Sequence, residues 1–236
     1  MAEINAQLVD GVANVSYKAG NGRQVSKTIP VDALVRALSA SSEGAAMKEI
    51  LPLGMRIRAT KGQHTIVGYE FPERVHHVHM QPSGRDTHKE YDTVLPWGLT
   101  FIELLNTKDG YKFSNMYQCA LKGPILNGDT MLFEWPGTNT YNDHRICTGD
   151  LKFPTVEKLE QTAGFPFLFY NGINTHIVSG GKFNVFKDKG GRQVDDPFKL
   201  YWNLRVDKDN PVQPYPYDIL RQAITLNAFL EGKGYK

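Results

Sequence analysis

The stretch Trp135-Pro-Gly-Thr-Asn-Thr-Tyr-Asn-Asp-His-Arg-Ile-Cys-Thr-Gly-Asp150 decides how the chain is read. It holds Cys147, one of only two cysteines, within a run of turn-forming and hydrogen-bonding residues. A strand-like run, Met131-Leu-Phe-Glu134, feeds into it, and Trp135-Pro136 breaks that run. A cysteine just after such a polar loop is expected to be partly exposed, with Arg145 and His144 close in sequence to favour the thiolate. Asn139 lies upstream, and its amide can reach back across the loop to an oxyanion at the sulfur.

The segment Asn139-Thr-Tyr-Asn-Asp-His-Arg-Ile-Cys147 resembles the active-site segment of ubiquitin-conjugating enzymes, Asn-Ile-Tyr-x-x-Gly-x-Ile-Cys, with the same Asn-to-Cys spacing. In that superfamily the Asn ends a His-Pro-Asn triplet, whereas Gly137 and Thr138 precede it here. A bacterial branch, prokaryotic family D, lacks that His and has one downstream of the Cys; it includes system protein B of the plasmid-borne PRTRC cluster. Thr175-His176, after the aromatic run Phe165 to Tyr170, resembles the downstream element. Leu95-Pro-Trp97 and Gly123-Pro-Ile-Leu126 are also similar to this branch, so the resemblance spans roughly residues 50 to 180.

The resemblance implies an α+β ubiquitin-conjugating-enzyme-like fold: an antiparallel strand meander with flanking helices, leading to a catalytic loop. It also implies carriage of a ubiquitin-like protein as a thioester on Cys147, with transfer to an amine. Asn139 would stabilise the oxyanion and His176 would deprotonate the thiol or the amine. No metal and no organic cofactor is implied, because ATP is used by the activating enzyme. The implied partners are a ubiquitin-like protein, a ThiF-like activating enzyme and a JAB-type metalloprotease, on a bacterial plasmid or mobile element.

Composition narrows the classes independently. The 236 residues suit one sizeable domain, read as a single unit with an N-terminal hairpin addition at 5–29. Hydrophobic content of 41% and charged content of 22% are ordinary globular values. A net charge of +2, without a Lys/Arg run, gives no field for nucleic acid. No apolar run approaches membrane-spanning length, and the Met-Ala-Glu-Ile-Asn start lacks a secretory pattern. Two cysteines make no disulfide framework, so a reducing, cytoplasmic setting is expected.

Along the chain, Val12 to Tyr17 and Val25 to Ile29 flank an Asn21-Gly22 turn. Pro30 and Asp32 open a predicted short helix with Leu34, Val35 and Leu38 on one face, ending in the Ser-rich stretch 39–42. Met55–Ala59, His64–Tyr69 and Val75–His79 have period two and read as consecutive antiparallel strands. Gly84 to Asp92 reads as a polar loop, and 99–105 with 111–121 as a hairpin around Asp109-Gly110. Past Asp150, Thr155 is expected to cap a helix stopped by Gly164. Lys182 to Phe186 and Phe198 to Val206 read as strands, and Asp218 as the cap of a helix over 219–230.

Other features compete for a role. Cys119 lies in a strand pattern with no polar loop around it and reads as packing. Asn139 can instead make an Asx-turn, and Asp143 and Asp150 are acidic groups near the sulfur. His77-x-His79 puts two imidazoles on one strand face, with His64 a third from a neighbouring strand; without a carboxylate or thiolate beside them, no metal is assigned. Gly180-Gly181-Lys182 lacks the spacing of a phosphate-binding loop. Two rivals stand beside the carrier reading. One is a non-catalytic binding module that keeps the fold to dock partners, favoured by Gly137-Thr138; the other is a Cys-His hydrolase, for which no third orienting residue is found.

Overall fold

The computed structural model describes residues 4–9, 12–18, 24–30, 54–82, 88–175, 183–184 and 186–235. The chain divides into two compact units, Met1–Ile50 and Leu51–Lys236. In the first, β1 (Ile4–Val9), β2 (Val12–Lys18) and β3 (Gln24–Pro30) form an antiparallel sheet in that order. The expected hairpin is β2–β3, with Tyr17 opposite Val25, and β1 adds a strand to it. The Asn21-Gly22 turn, the helix expected after Pro30 and the Ser-rich stretch lie outside the described residues.

The second unit starts with β4 (Met55–Lys61), β5 (His64–Phe71), β6 (Arg74–Met80) and β7 (Lys89–Leu95). Next come β8 (Trp97–Thr107), β9 (Gly110–Leu121) and β10 (Met131–Glu134). The short strands β11 (Ile173–Asn174), β12 (Phe186–Lys187), β13 (Gln193–Val194), β14 (Arg205–Val206) and β15 (Gln222–Thr225) follow. The α-helices are α1 (Phe165–Tyr170), α2 (Pro197–Asn203) and α3 (Leu226–Gly232). The class is α+β, as expected.

The strands are not paired in simple succession. A six-stranded sheet runs β15-β10-β9-β8-β5-β4, and a four-stranded sheet runs β11-β6-β7-β14. β4 and β5 pair as read, but β6 leaves to pair with β7, and β5 takes β8 as its other neighbour. Burial explains the division. Thr65 to Tyr69 of β5 are all buried, which requires cover on both faces, whereas β6 alternates and keeps His77 toward solvent. β7 also corrects the loop expected over Gly84 to Asp92: from Lys89 onward the chain is strand, while residues 83–87 lie outside the described set. The β8–β9 hairpin turns at Asp109-Gly110, where Gly110 has φ 120° and a side chain would strike the Val156 carbonyl.

Three further expectations are corrected. Gly164 does not stop a helix capped by Thr155; a 3₁₀ turn, Leu159–Gly164, follows Lys158, and Gly164 caps α1. The aromatic run is therefore a short helix, with Pro166 in its first turn where no helical donor is lost. Phe198 to Val206 is α2 followed by the two residues of β14. The Asp196 carboxylate accepts the Lys199 N–H at 2.9 Å and Pro197 opens the helix. Near the end, Gln222–Thr225 satisfies the open edge of β10 as β15, so α3 begins only after Thr225, whose hydroxyl caps it.

The six-stranded sheet is covered on both faces. Leu99, Phe101, Cys119 and Leu121 pack with Leu226 and Phe229 of α3. On the opposite side Val67, Ile102 and Met116 pack with Val156, Leu159 and Phe165. A third core holds Val78, Met80 and Val94 against Trp135, Leu200 and Tyr201. A buried polar link runs within this framework: Thr100 Oγ1 donates to Gln118 Oε1 at 2.6 Å, and Gln118 Nε2 donates to the Tyr170 hydroxyl at 2.9 Å. Gly98 leaves room for it, since a Cβ there would stand 2.8 Å from that hydroxyl.

Candidate active site

The 135–150 loop is built onto one edge of β9. β10 covers the end of that edge, opposite Cys119 and Ala120, and the chain then leaves the sheet at Trp135-Pro136. It returns further down the same edge, where the Ile146 N–H donates to the Met116 carbonyl at 2.8 Å and the Gln118 N–H to the His144 carbonyl at 2.9 Å. Between these anchors, Thr140 faces Ile146 and the Tyr141 N–H donates to the Arg145 carbonyl at 2.8 Å. The turn is tight enough to put His144 at φ 69°, and Asn139 sits at φ 57° where the loop bends in, a region asparagine tolerates better than most residues.

Cys147 follows the returning strand and is partly exposed. Its N–H donates to the Asn139 carbonyl at 2.7 Å, so the two residues matched by the sequence motif close the loop on each other. The Tyr141 hydroxyl lies in the neighbourhood of the Cys147 sulfur. That sulfur holds the phenol above its ordinary pKa. Sequence reasoning assigned Tyr141 no part. The signal was present, since it is the lone aromatic among polar loop residues on the way to the thiol.

The Asn139 side chain is turned toward the segment after α1. Its Nδ2 donates to the Ile173 carbonyl at 3.0 Å, and its Oδ1 accepts from the Thr175 N–H and hydroxyl, each at 3.4 Å. Asn174 is fixed from both sides: its Nδ2 donates to the His79 carbonyl at 3.1 Å, and its Oδ1 accepts the Thr138 hydroxyl. β11 also pairs in parallel with β6 at His79 and Met80. The chain is thus held against the cysteine loop as far as Thr175. His176, and with it Gly180-Gly181-Lys182, lies outside the described residues.

Gly137 and Thr138, the departures from His-Pro, have structural reasons. The Trp135 indole nitrogen and the Tyr201 hydroxyl both stand against Gly137 in the buried third core. Any side chain at Gly137 would collide with both groups. Thr138 is 1% exposed and spends its hydroxyl on Asn174. A histidine would collide at 137, and a proline at 138 would remove the hydroxyl that Asn174 accepts.

The other loop groups have their own partners. Arg145 Nε contacts Asp143 Oδ2 at 2.6 Å, and its guanidinium lies 5.4 Å from the Tyr141 ring centre. Partial burial works against Asp143 ionisation, but the hydrogen bonds from Arg145 outweigh it and keep the carboxyl below its usual range. The Arg145 charge expected to favour the thiolate is therefore shared with a carboxylate. His144 is buried, with its ring edge-on to Phe229 at 6.0 Å. Asp150 is exposed. Cys119 is fully buried, and burial pushes its thiol far up, in keeping with a packing role.

His64 does not approach His77 and His79. It belongs to β5 of the six-stranded sheet, whereas the neighbours of β6 are β7 and β11. Among the described residues, His77, His79 and Glu90 are placed so that they could hold a metal ion. No helix among the described residues is long and apolar enough to cross a membrane.

Comparison with known proteins gives one finding. A family model, prokaryotic E2 family D, matches residues 30–223. No curated protein and no solved structure gives a significant match.

Proposed function

Because the chain belongs to prokaryotic E2 family D, we propose that Cys147 carries a ubiquitin-like protein as a thioester and passes it to an amine. Membership of an E2-like family implies a role in bacterial ubiquitin-like conjugation; the acyl chemistry is our reading. In the loading step the Cys147 thiolate attacks the thioester carbonyl on a ThiF-like activating enzyme. A new C–S bond forms, and the thiolate of that enzyme leaves. In discharge an amine attacks the carbonyl, the Cys147 thiolate leaves, and His176 takes the amine proton.

One observation carries the reading. The partly exposed thiol stands at the end of a loop closed by the bond from the Cys147 N–H to the Asn139 carbonyl. Asn139, whose backbone carbonyl holds the Cys147 N–H, is proposed as the residue that stabilises the oxyanion, the role its place in the motif implies. The argument for a mere docking module weakens, since Gly137 and Thr138 are required by Tyr201, Trp135 and Asn174. Residues 5–29 are proposed to be an N-terminal hairpin addition to this carrier domain.

The test is reconstitution with the cognate activating enzyme, ATP and ubiquitin-like protein. The chain should gain an adduct that added thiol removes. Cys147→Ala should give none, and Cys147→Ser either none or an oxyester that survives reductant. A wild-type chain that binds the charged activating enzyme yet never takes the adduct would favour docking alone.

A further inference from the structure

The solvent face of the β6–β7 hairpin gathers three imidazoles and two carboxylates. His77 and His79 are two apart on β6, and the register sets Asp92 opposite His77 and Glu90 opposite His79. Strand pairing thus supplies the carboxylate that the His-x-His pattern lacked in sequence. Glu90 Oε1 lies 3.0 Å from His79 Nδ1 and 2.8 Å from His88 Nε2, and Glu90 Oε2 lies 3.6 Å from His77 Nε2. The ligand atoms of His77, His79 and Glu90 all fall within 4.8 Å of one another.

We propose that His77, His79 and Glu90 form a binding site for a divalent transition metal ion, with Zn²⁺ the fitting probe. Imidazole nitrogen and carboxylate oxygen bind zinc at about 2.0–2.2 Å, which sets tetrahedral ligands about 3.4 Å apart. His77 Nε2 at 3.6 Å from Glu90 Oε2 and His79 Nδ1 at 3.0 Å from Glu90 Oε1 lie on either side of that spacing, each imidazole against one oxygen of the same carboxylate. Asp92 orients the first ligand: its carboxylate can only accept, so at 2.9 Å it takes the Nδ1–H of His77 and leaves Nε2 for the ion. His88 Nε2 is at hand as a fourth ligand, and otherwise solvent fills that position. The side chains are between 33% and 53% exposed, which gives an ion direct access from solvent. The site is also joined to the cysteine loop, because the His79 carbonyl holds Asn174, which in turn holds Thr138.

Calorimetric titration of Zn²⁺ into the full chain at neutral pH, in a non-chelating buffer, tests this. One ion per chain should bind at this site. His77→Ala, His79→Ala and Glu90→Gln should each abolish it, and Asp92→Asn should weaken it on the order of 10- to 100-fold as an orienting partner does. His64→Ala should change nothing. These side chains stand on a solvent face, so the variants should fold, which circular dichroism checks. Because Cys147 is itself a zinc-binding group, Co²⁺ serves as a second probe. Cobalt at the proposed site should show visible ligand-field bands that vanish in Glu90→Gln, without sulfur-to-cobalt charge transfer. Absence of binding, equal binding by wild type and Glu90→Gln, or a charge-transfer band alone would overturn the proposal.

Discussion

The two cysteines of this chain lie in or beside one strand, β9, and have opposite surroundings. Cys119 lies within β9 near its C-terminal end, wholly buried, opposite Leu99 and packed with Leu226 and Phe229 of α3. Cys147 lies where the chain peels away from the same β9, held by its N–H on the Asn139 carbonyl and partly open to solvent. Residue type is identical, so the difference rests in the backbone. A ladder position commits a side chain to one face of a packed sheet, whereas the end of a strapped loop holds it in place without covering it.

The sharpest break of that comparison is chemical labelling. Cys119 can meet a reagent only when the core opens, and opening an ordinary domain costs about 5–15 kcal/mol. Brief iodoacetamide treatment followed by peptide mapping should therefore favour Cys147 by on the order of 10³-fold or more. Equal labelling would remove the distinction.

Next in size is Asn139→Ala. With loading retained, discharge to an amine should fall on the order of 10²-fold if the amide holds the oxyanion. If Asn139 only ties down Ile173 and Thr175, loading and discharge should decline together and mildly.

Gly137 sharpens the structural side. Gly137→Ala should cost about 1–3 kcal/mol in urea unfolding, because the new methyl meets the Tyr201–Trp135 pair. Gly137→His, which restores the superfamily residue, should be worse still. A stable, more active histidine variant would show that the glycine is a lesion rather than a fit.

The smallest effect concerns Tyr141. Its pKa is raised by the Cys147 sulfur, so the phenol keeps its proton to higher pH than an isolated tyrosine. Cys147→Ala deletes that sulfur, and Tyr141 should then ionise at lower pH. Tyrosine ring NMR over an alkaline titration reads this, and an unmoved titration would deny the contact.

What could be read in advance follows from how local each cause is. The β4–β5 and β8–β9 hairpins were legible because period-two patterns met turn residues, as at Asp109-Gly110. The switch of β6 into a second sheet was not, because it depends on which strand is covered twice, a property of the whole assembly. α2 stands where a strand is expected over Phe198 to Val206, although Asp196-Pro197 is a helix-start signal in the sequence. At the site, Asn139 and Cys147 were legible from their spacing. Tyr201 was not, since it comes 64 residues after Gly137 and meets it only through the third core. Glu90 likewise joins His79 only through strand register.

The central claim is that Cys147, and not Cys119, is the acyl carrier. Its most direct test is mass mapping of the wild-type chain after charging by its activating enzyme, performed without reductant and repeated with it. The account predicts one ubiquitin-like protein, joined with loss of water, on the peptide containing Cys147, and its complete release by thiol. An adduct on Cys119, or one on a lysine that survives thiol with Cys147 never occupied, would contradict it.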